Sequence, residues 1–323
     1  MKRFREKNVE PLGPALPLST PWVINVDPSS MCDLRCKYCF HYKNRNPKNY
    51  GMMEWSLYRK LISDIKKFPR KLKTLRLYAF GEPMMNPLFA DMVRLAKDEN
   101  VSFDIDTTTN GMFLNPSRNL DIINAGIDRI NLSVVGVSDS KYLEFSGRKV
   151  NFVKFVENVS HLYHNRRQCI LFIKLNGDIV STEDQEKFLE IFTPICDGIA
   201  VEHVMDCWYD FKMEGIIRNK DVGVYGQPLT KVDVCPYIFY SFCVQYDGEV
   251  SACFLDWNRK LIIGDAKKEK LKDIWNGKSL RGIRKLMLCK QRDCIIACKG
   301  CNQLEAGNPV NIDPLAKELL EKI

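Results

Sequence analysis

The sequence predicts an α/β fold: an open, partial barrel of six parallel strands, followed by a small β-hairpin-plus-helix unit rich in cysteine. Three observations predict it. A strand–turn–helix pattern recurs from Trp22 to about Phe211. The pattern then breaks at "VGVYGQPLTKVDVCP" (222–236), a stretch with Gly and Pro. Beyond the break, alternating runs flank Asp247–Gly248, a strong hairpin signal.

Taken in order, residues 1–21 form an N-terminal extension. The strands are "PWVINVDP" (21–28), "LKTLRLYAFG" (72–81), "VSFDIDTTTNG" (101–111), "DRINLSVVG" (128–136), "CILFIKLNGD" (169–178) and "GIAVEHVMD" (198–206). Helical stretches lie between them. "EWSLYRKLISDIKKF" (54–68) places Leu57, Leu61, Ile65 and Phe68 on one face, and 87–100 and 151–165 have similar spacing. Strands alternating with helices imply a parallel sheet with right-handed crossovers. Six strands are too few to close an eight-stranded barrel. The barrel core therefore spans 22–215, a linker 216–230, the cysteine-rich unit 231–305, and the rest, 306–323, ends in a helix over 312–323.

In such sheets, sites form at the carboxyl ends of the strands. The first three strands end at "MCDLRCKYCF" (31–40), "FGEP" (80–83) and "TTTNG" (107–111), and the fourth ends near Ser133. All four segments are expected on one rim.

Composition bounds the partners. The chain has 323 residues, 45% apolar and 27% charged, as ordinary soluble proteins do. No apolar run approaches a membrane span, and the basic N-terminus lacks the apolar region of a secretory signal. The expectation is a cytoplasmic protein with no membrane partner. The net charge of +8 reads as solvated faces such as "KKFPRKLK" (66–73), or as attraction to an anionic, phosphorylated or nucleotide-linked substrate. Basic patches interleaved with aromatics are absent, so no nucleic acid is expected. Thirteen cysteines are many for a reducing compartment. Three fall in Cys32–Cys39 and seven in Cys235–Cys301, a clustering that favours metal ligation.

Three thiolates on one loop suit a [4Fe–4S] cluster, whose irons each take one outer ligand. The fourth iron is then open to a ligand that is not protein. Zinc would need a fourth Cys or His at finger spacing; His41 is near, but no paired C-x2-C surrounds it. "CDLRCKYC" is the C-x3-C-x2-C motif of the radical S-adenosylmethionine (SAM) enzymes, with an aromatic, Tyr38, before the third cysteine. "YAFGEP" (78–83) resembles that family's GGE-type segment, with Phe80 in place of the first Gly. "TNG" (109–111) and "NLSVVG" (131–136) resemble the ends of its third and fourth strands. The resemblance covers most of 22–210 and implies a six-stranded, TIM-like partial barrel. It implies S-adenosylmethionine as cofactor, chelated to the open iron and cleaved by one electron to a 5′-deoxyadenosyl radical. It further implies that Cys32, Cys36 and Cys39 hold the cluster, and that Tyr38 is among the cofactor-binding residues. Glu82, with the backbone of Phe80 and Gly81, would face the cofactor's ammonium. Asn110 and Ser133 would meet its carboxylate or ribose, and Lys174 its carboxylate. A snorkelling role for Lys174 is an equal reading, and a strand-end hydrogen bond is the competing one for Ser133.

The later cysteines include "CPYIFYSFCVQYDGEVSAC" (235–253) and "CIIACKGC" (294–301). This group, with "IIGDAKKEKLKDIWNG" (262–277) between, resembles the SPASM/twitch extension of radical SAM enzymes. The resemblance implies one auxiliary [4Fe–4S] cluster on Cys235, Cys253, Cys298 and Cys301. Cys243, Cys289 and Cys294 are then spare, with Cys294 the best substitute ligand. A second auxiliary cluster and a zinc ribbon are the alternatives.

The expected reaction is dehydrogenation of a hydroxyl on a small polyol, sugar or nucleotide-sugar, the auxiliary cluster accepting an electron. No G-x-G-x-x-G follows the first strand, which fits oxidation without NAD. About twenty residues precede the barrel, too few for a peptide-recognition domain. The alternative is peptide or protein modification: oxidation, crosslinking or epimerisation. Epimerisation needs a hydrogen-atom donor, and Cys207 at the end of the sixth strand is the candidate; a buried hydrophobe is its plainer reading. His203, Trp208 and Tyr209 are candidates for the substrate pocket. An electron donor such as flavodoxin or ferredoxin is the expected partner. A non-enzymatic iron–sulfur or zinc protein is the reading from another class.

Overall fold

The computed structural model describes residues 10–40, 50–205, 207, 211, 213, 216 and 220–323. Six parallel strands follow one another in chain order: β1 (Val23–Val26), β2 (Leu72–Arg76), β3 (Ser102–Thr109), β4 (Arg129–Val134), β5 (Ile170–Asn176) and β6 (Gly198–Glu202). All six lie within the expected segments. Helices cover one face. Those at Pro116–Asn124, Asp139–Ser146, Phe152–Asn165 and Thr182–Phe192 start where a side chain takes an orphan N–H: Asn115, Ser138, Asn151 and Ser181 each accept from the residue three positions on.

The strands alternate, although parallel strands buried on both faces normally read as continuous apolar runs. Ile130, Leu132 and Val134 of β4, and Leu171, Ile173 and Leu175 of β5, are buried in the core beneath the helices. Arg129, Asn131 and Ser133, with Phe172, Lys174 and Asn176, lie on the opposite, inner face and are half-buried. The period of two therefore marks a polar interior rather than a solvated face.

The sheet does not stop at β1. The strand β7 (Ser241–Val244) pairs parallel with it, from Val23↔Ser241 to Val26↔Val244. β8 (Glu249–Ser251) and β9 (Ile262–Asp265) then add antiparallel, giving a nine-stranded sheet. An uncovered β1 would present a row of unpaired N–H and C=O groups. The C-terminal part supplies the missing partner, so main-chain hydrogen bonds dock it on the barrel. The expected hairpin turns at 245–248, where Gly248 takes φ +95 and its N–H donates to the Gln245 carbonyl at 2.9 Å. The last helix, Ala316–Lys322, is shorter than expected, because 313–315 forms a 3-10 turn around Pro314. Among the described residues no helix is long and apolar enough to cross a membrane.

Asp27 closes the β1–β7 seam. It is 1% exposed; its N–H donates to the Val244 carbonyl at 2.9 Å and its Oδ1 accepts the Phe80 N–H at 3.3 Å. Burial pushes its carboxyl up to about 7, against the Phe80 N–H and the Arg259 charge. In the unfolded chain the same group ionises near the ordinary value of about 3.9. Ionisation thus favours the unfolded chain as pH rises from about 4 to about 7, and the effect is level above that. Asp27→Asn should raise stability by a margin that grows across this window, reaching at most about 4 kcal/mol. Urea denaturation of the two proteins between pH 5 and pH 8 checks the trend.

Candidate functional site

The loop after β1 carries Cys32, Cys36 and Cys39, and its shape is imposed from a distance. The N–H groups of Arg35 and Lys37 donate to the Ser146 and Phe145 carbonyls, each at 3.0 Å. These are orphan carbonyls at the end of the helix Asp139–Ser146, which Gly147 closes at φ +67. Leu34 is buried beneath the loop, and Cys39 N–H turns back to the Cys36 carbonyl at 2.9 Å. Burial pushes the Cys36 thiol up to about 12, with Cys39 adding to it, and pushes Cys32 higher still. Tyr38, expected near the cofactor, lies beside Cys36 and Cys39, its phenol kept protonated by burial first and by those thiols next.

The end of β2 presses onto this loop. A Cβ on Gly81 would lie 2.2 Å from the Ser29 carbonyl oxygen and 2.4 Å from that of Met31, so only glycine permits the approach. Glu82, 2% exposed, donates its N–H to the Met31 carbonyl at 2.7 Å. Its carboxylate accepts from Met84 N–H at 3.0 Å, Thr109 Oγ1 at 2.7 Å and Asn110 N–H at 2.7 Å. Burial raises its pKa, and those three donors pull it down. The carboxylate expected to face a cofactor ammonium is thus first a clasp joining the ends of β1, β2 and β3. Asn110, expected to meet the cofactor's carboxylate or ribose, has protein partners of its own. Its amide Nδ2 reaches Asp33 Oδ1 at 2.8 Å and Cys32 Sγ at 3.8 Å, and Oδ1 accepts Met112 N–H at 2.9 Å. The cysteine loop lies close enough to engage Nδ2 through two acceptors.

Ser133 and Lys174 are register partners on the inner face. Lys174 Nζ, expected to meet a cofactor carboxylate, sits 3.0 Å from Glu202 Oε2. Burial pulls the ammonium toward neutrality, but Glu202, then Tyr225, outweighs it and the pKa rises. Arg76 pairs with Asp106 at 3.3 Å and Arg129 Nε donates to Asn131 Oδ1 at 2.9 Å. Arg76, Arg129, Glu202 and Tyr225 were not singled out from the sequence. The alternation Arg129–Asn131–Ser133 was the available signal. Tyr225 had none, since it arrives from a loop beyond β6.

The second thiol group meets at one cavity, lined by Cys235, Cys253, Cys298 and Cys301. Burial pushes Cys235 and Cys298 up to about 12 and Cys253 higher, and the neighbouring thiols add to each. Cys243 is fully buried in β7 against Phe40, Phe80 and Phe211, and Cys289 and Cys294 are exposed. None of these three lines the cavity. Cys207, expected on the barrel rim, is 5% exposed and lines this second cavity instead. The chain leaves β6 toward the C-terminal part: His203 N–H donates to the Val224 carbonyl at 2.8 Å, and Val224 N–H to that of Ala306 at 2.9 Å. His203 Nδ1 pairs with Asp178 Oδ1 at 2.7 Å. Trp208, Tyr209 and His41 lie outside the described residues. Phe40 stacks on Trp257 at 5.1 Å between ring centres and meets Phe80 edge-on at 6.2 Å; Trp257 also lines the second cavity. An aromatic wall thus stands between the two thiol groups.

The donor sets suit clusters better than zinc. A zinc ion draws four ligands to one centre. Among the described residues, no three Cys, His, Asp or Glu converge closely enough to hold a single ion. Thiols spaced around a volume suit a polynuclear group with one thiolate per iron.

The family profile of the radical SAM superfamily matches residues 26–226, and that of an iron-sulfur cluster-binding domain, SPASM, matches 235–302. The chain belongs to the radical SAM superfamily. As a radical SAM enzyme it uses S-adenosylmethionine and [4Fe–4S] clusters. It is 33% identical over 108 residues to the tungsten-containing aldehyde ferredoxin oxidoreductase cofactor-modifying protein of Pyrococcus furiosus. That match covers 33% of this chain and 28% of that protein. It is 20% identical over 291 residues to the S-adenosyl-L-methionine-dependent 2-deoxy-scyllo-inosamine dehydrogenase of Niallia circulans, covering 90% of this chain and 96% of that one. The crystal structure of BtrN in complex with AdoMet and 2-DOIA shares its fold, with a TM-score of 0.60 at 18% identity over 87% of this chain and 92% of that one.

The placement of the thiols predicts how iron will partition. Anaerobically reconstituted protein should hold about eight irons, two cubes of four. Cys298→Ser should leave about four, as should Cys36→Ser, whereas Cys289→Ser and Cys294→Ser should keep the full complement. Iron and sulfide assays on the purified variants check this.

Proposed function

We propose that this radical SAM enzyme dehydrogenates a hydroxyl on a small polyol, sugar or nucleotide-linked sugar inside the barrel. The observation that carries this reading is the inner face itself. Arg76, Asp106, Arg129, Lys174, Glu202 and Tyr225 bring charged and hydrogen-bonding groups to one half-buried surface. Such a surface suits a compact ligand bearing several hydroxyls or an anionic group, and wastes its polar groups on an apolar side chain. The full-length similarity to an aminocyclitol dehydrogenase supports it.

When bound, the cofactor and the two clusters supply a hydrogen-abstracting radical and an electron acceptor, primed by a one-electron donor such as flavodoxin or ferredoxin. Cys32, Cys36 and Cys39 would hold the first cluster, with a single auxiliary cluster on Cys235, Cys253, Cys298 and Cys301. The backbone at Phe80 and Gly81, with Ser133, borders the space for the cofactor. Oxidation of an alcohol also releases the hydroxyl proton, and Glu202 is the group to take it. Lys174 Nζ lies 3.0 Å from Glu202 Oε2, and the Tyr225 phenol hydrogen-bonds to the same carboxyl. Tyr225 is 48% exposed, so the proton has a route from Glu202 to solvent. The Phe40–Trp257 stack places apolar surface between the two thiol groups, which disfavours water there.

Anaerobic incubation with S-adenosylmethionine, dithionite and a panel of 2-deoxy-scyllo-inosamine, myo-inositol and UDP-glucose tests the reading. One member should yield 5′-deoxyadenosine and ketone in equal amounts. Glu202→Gln should keep the 5′-deoxyadenosine while lowering ketone about a hundredfold or more, the range for loss of a general base. A product found only with peptides would overturn the proposal.

A further inference from the structure

We infer that Asn110 tunes the reduction potential of the cluster on Cys32, Cys36 and Cys39, by donating its side-chain N–H to Cys32 Sγ. The inference rests on those three cysteines being the ligands. Four contacts carry it. Asn110 Oδ1 accepts the Met112 N–H at 2.9 Å, which fixes which end of the amide is oxygen. The opposite Nδ2 has two hydrogens and two acceptors, Asp33 Oδ1 at 2.8 Å and Cys32 Sγ at 3.8 Å. Main-chain Asn110 N–H is tied to Glu82 Oε2 at 2.7 Å, so the residue is held at both ends. Asp33 in turn is ion-paired through Oδ2 with Arg148.

Two opposed electrostatic effects therefore act on one ligand sulfur. An N–H donor withdraws electron density from the thiolate and stabilises the reduced, more negative cluster most, which raises its potential. The Asp33 carboxylate beside it does the reverse, and Arg148 offsets that charge. The amide also keeps Asp33 turned toward Arg148. Asn110 is a positioning residue in this scheme. It touches the ligand sulfur, and its own polar atoms are spent on protein partners.

The test is a redox titration of the reconstituted protein without S-adenosylmethionine, followed by electron paramagnetic resonance. The auxiliary cluster serves as internal reference. Asn110→Ala and Asn110→Leu should shift the first cluster to a more negative potential and leave the reference in place. Arg148→Met should shift it the same way, and adding Asp33→Asn to Arg148→Met should move it back. An unchanged potential in variants that retain full iron overturns the inference, as does an equal shift of both clusters. If the Asn110 variants lose iron, the partly exposed Arg148 carries the test, and no shift in Arg148→Met overturns it. A Cys36→Ser control separates the underlying assignment: if it keeps the low-potential signal, the ligand reading itself is at fault.

Discussion

The site depends on one buried carboxylate. Glu82 is almost without solvent, and a carboxylate in that position is tolerated only because three donors meet it. Those donors come from the end of β2 and from Thr109 and Asn110 at the end of β3. Its own N–H reaches the Met31 carbonyl, one residue before the first cysteine. Gly81 lets the two chains touch, since any side chain would strike the backbone of 29–31. The ends of three neighbouring strands are thereby locked, and the cysteine loop hangs from that lock. Removing the charge would leave three donors facing an apolar interior.

The loop is held on its far side by a second device. Helix carbonyls at Phe145 and Ser146 have no partner within their helix, and the loop N–H groups of Lys37 and Arg35 take them. Two sets of backbone groups that would otherwise need water satisfy each other. The same economy recurs across the molecule: β7 satisfies the open edge of β1, and the Asp33–Arg148 pair balances charge beside Cys32.

The inner face of the barrel follows a different logic. Its cations and carboxylates are paired sideways, Arg76 with Asp106 and Lys174 with Glu202, so none is buried alone. Pairs of this kind keep a polar interior stable while it is empty and remain available to hydroxyl or anionic groups. The aromatic wall of Phe40, Phe80 and Trp257 divides that interior from the second thiol group.

Much of this was readable in the chain. Period-two runs and amphipathic stretches located all six parallel strands, because each pattern reports which side of a strand or helix is dry. The spacing of Cys32, Cys36 and Cys39 pointed to a cluster, because thiolate count and loop length are local properties. Asp247–Gly248 marked its hairpin for the same reason. What the chain could not show were pairings between distant segments. β7 joins β1 across more than two hundred residues. Cys207 turned from the barrel rim to the second cavity because the path after β6 is set by Val224 and Ala306. Glu82 and Asn110 were read as cofactor contacts, whereas their first partners are Thr109, Met84, Asp33 and Cys32. Local periodicity encodes burial, and motif spacing encodes ligand number. The partners of a buried polar group are chosen only when the tertiary fold brings donors and acceptors within about 3 Å of each other.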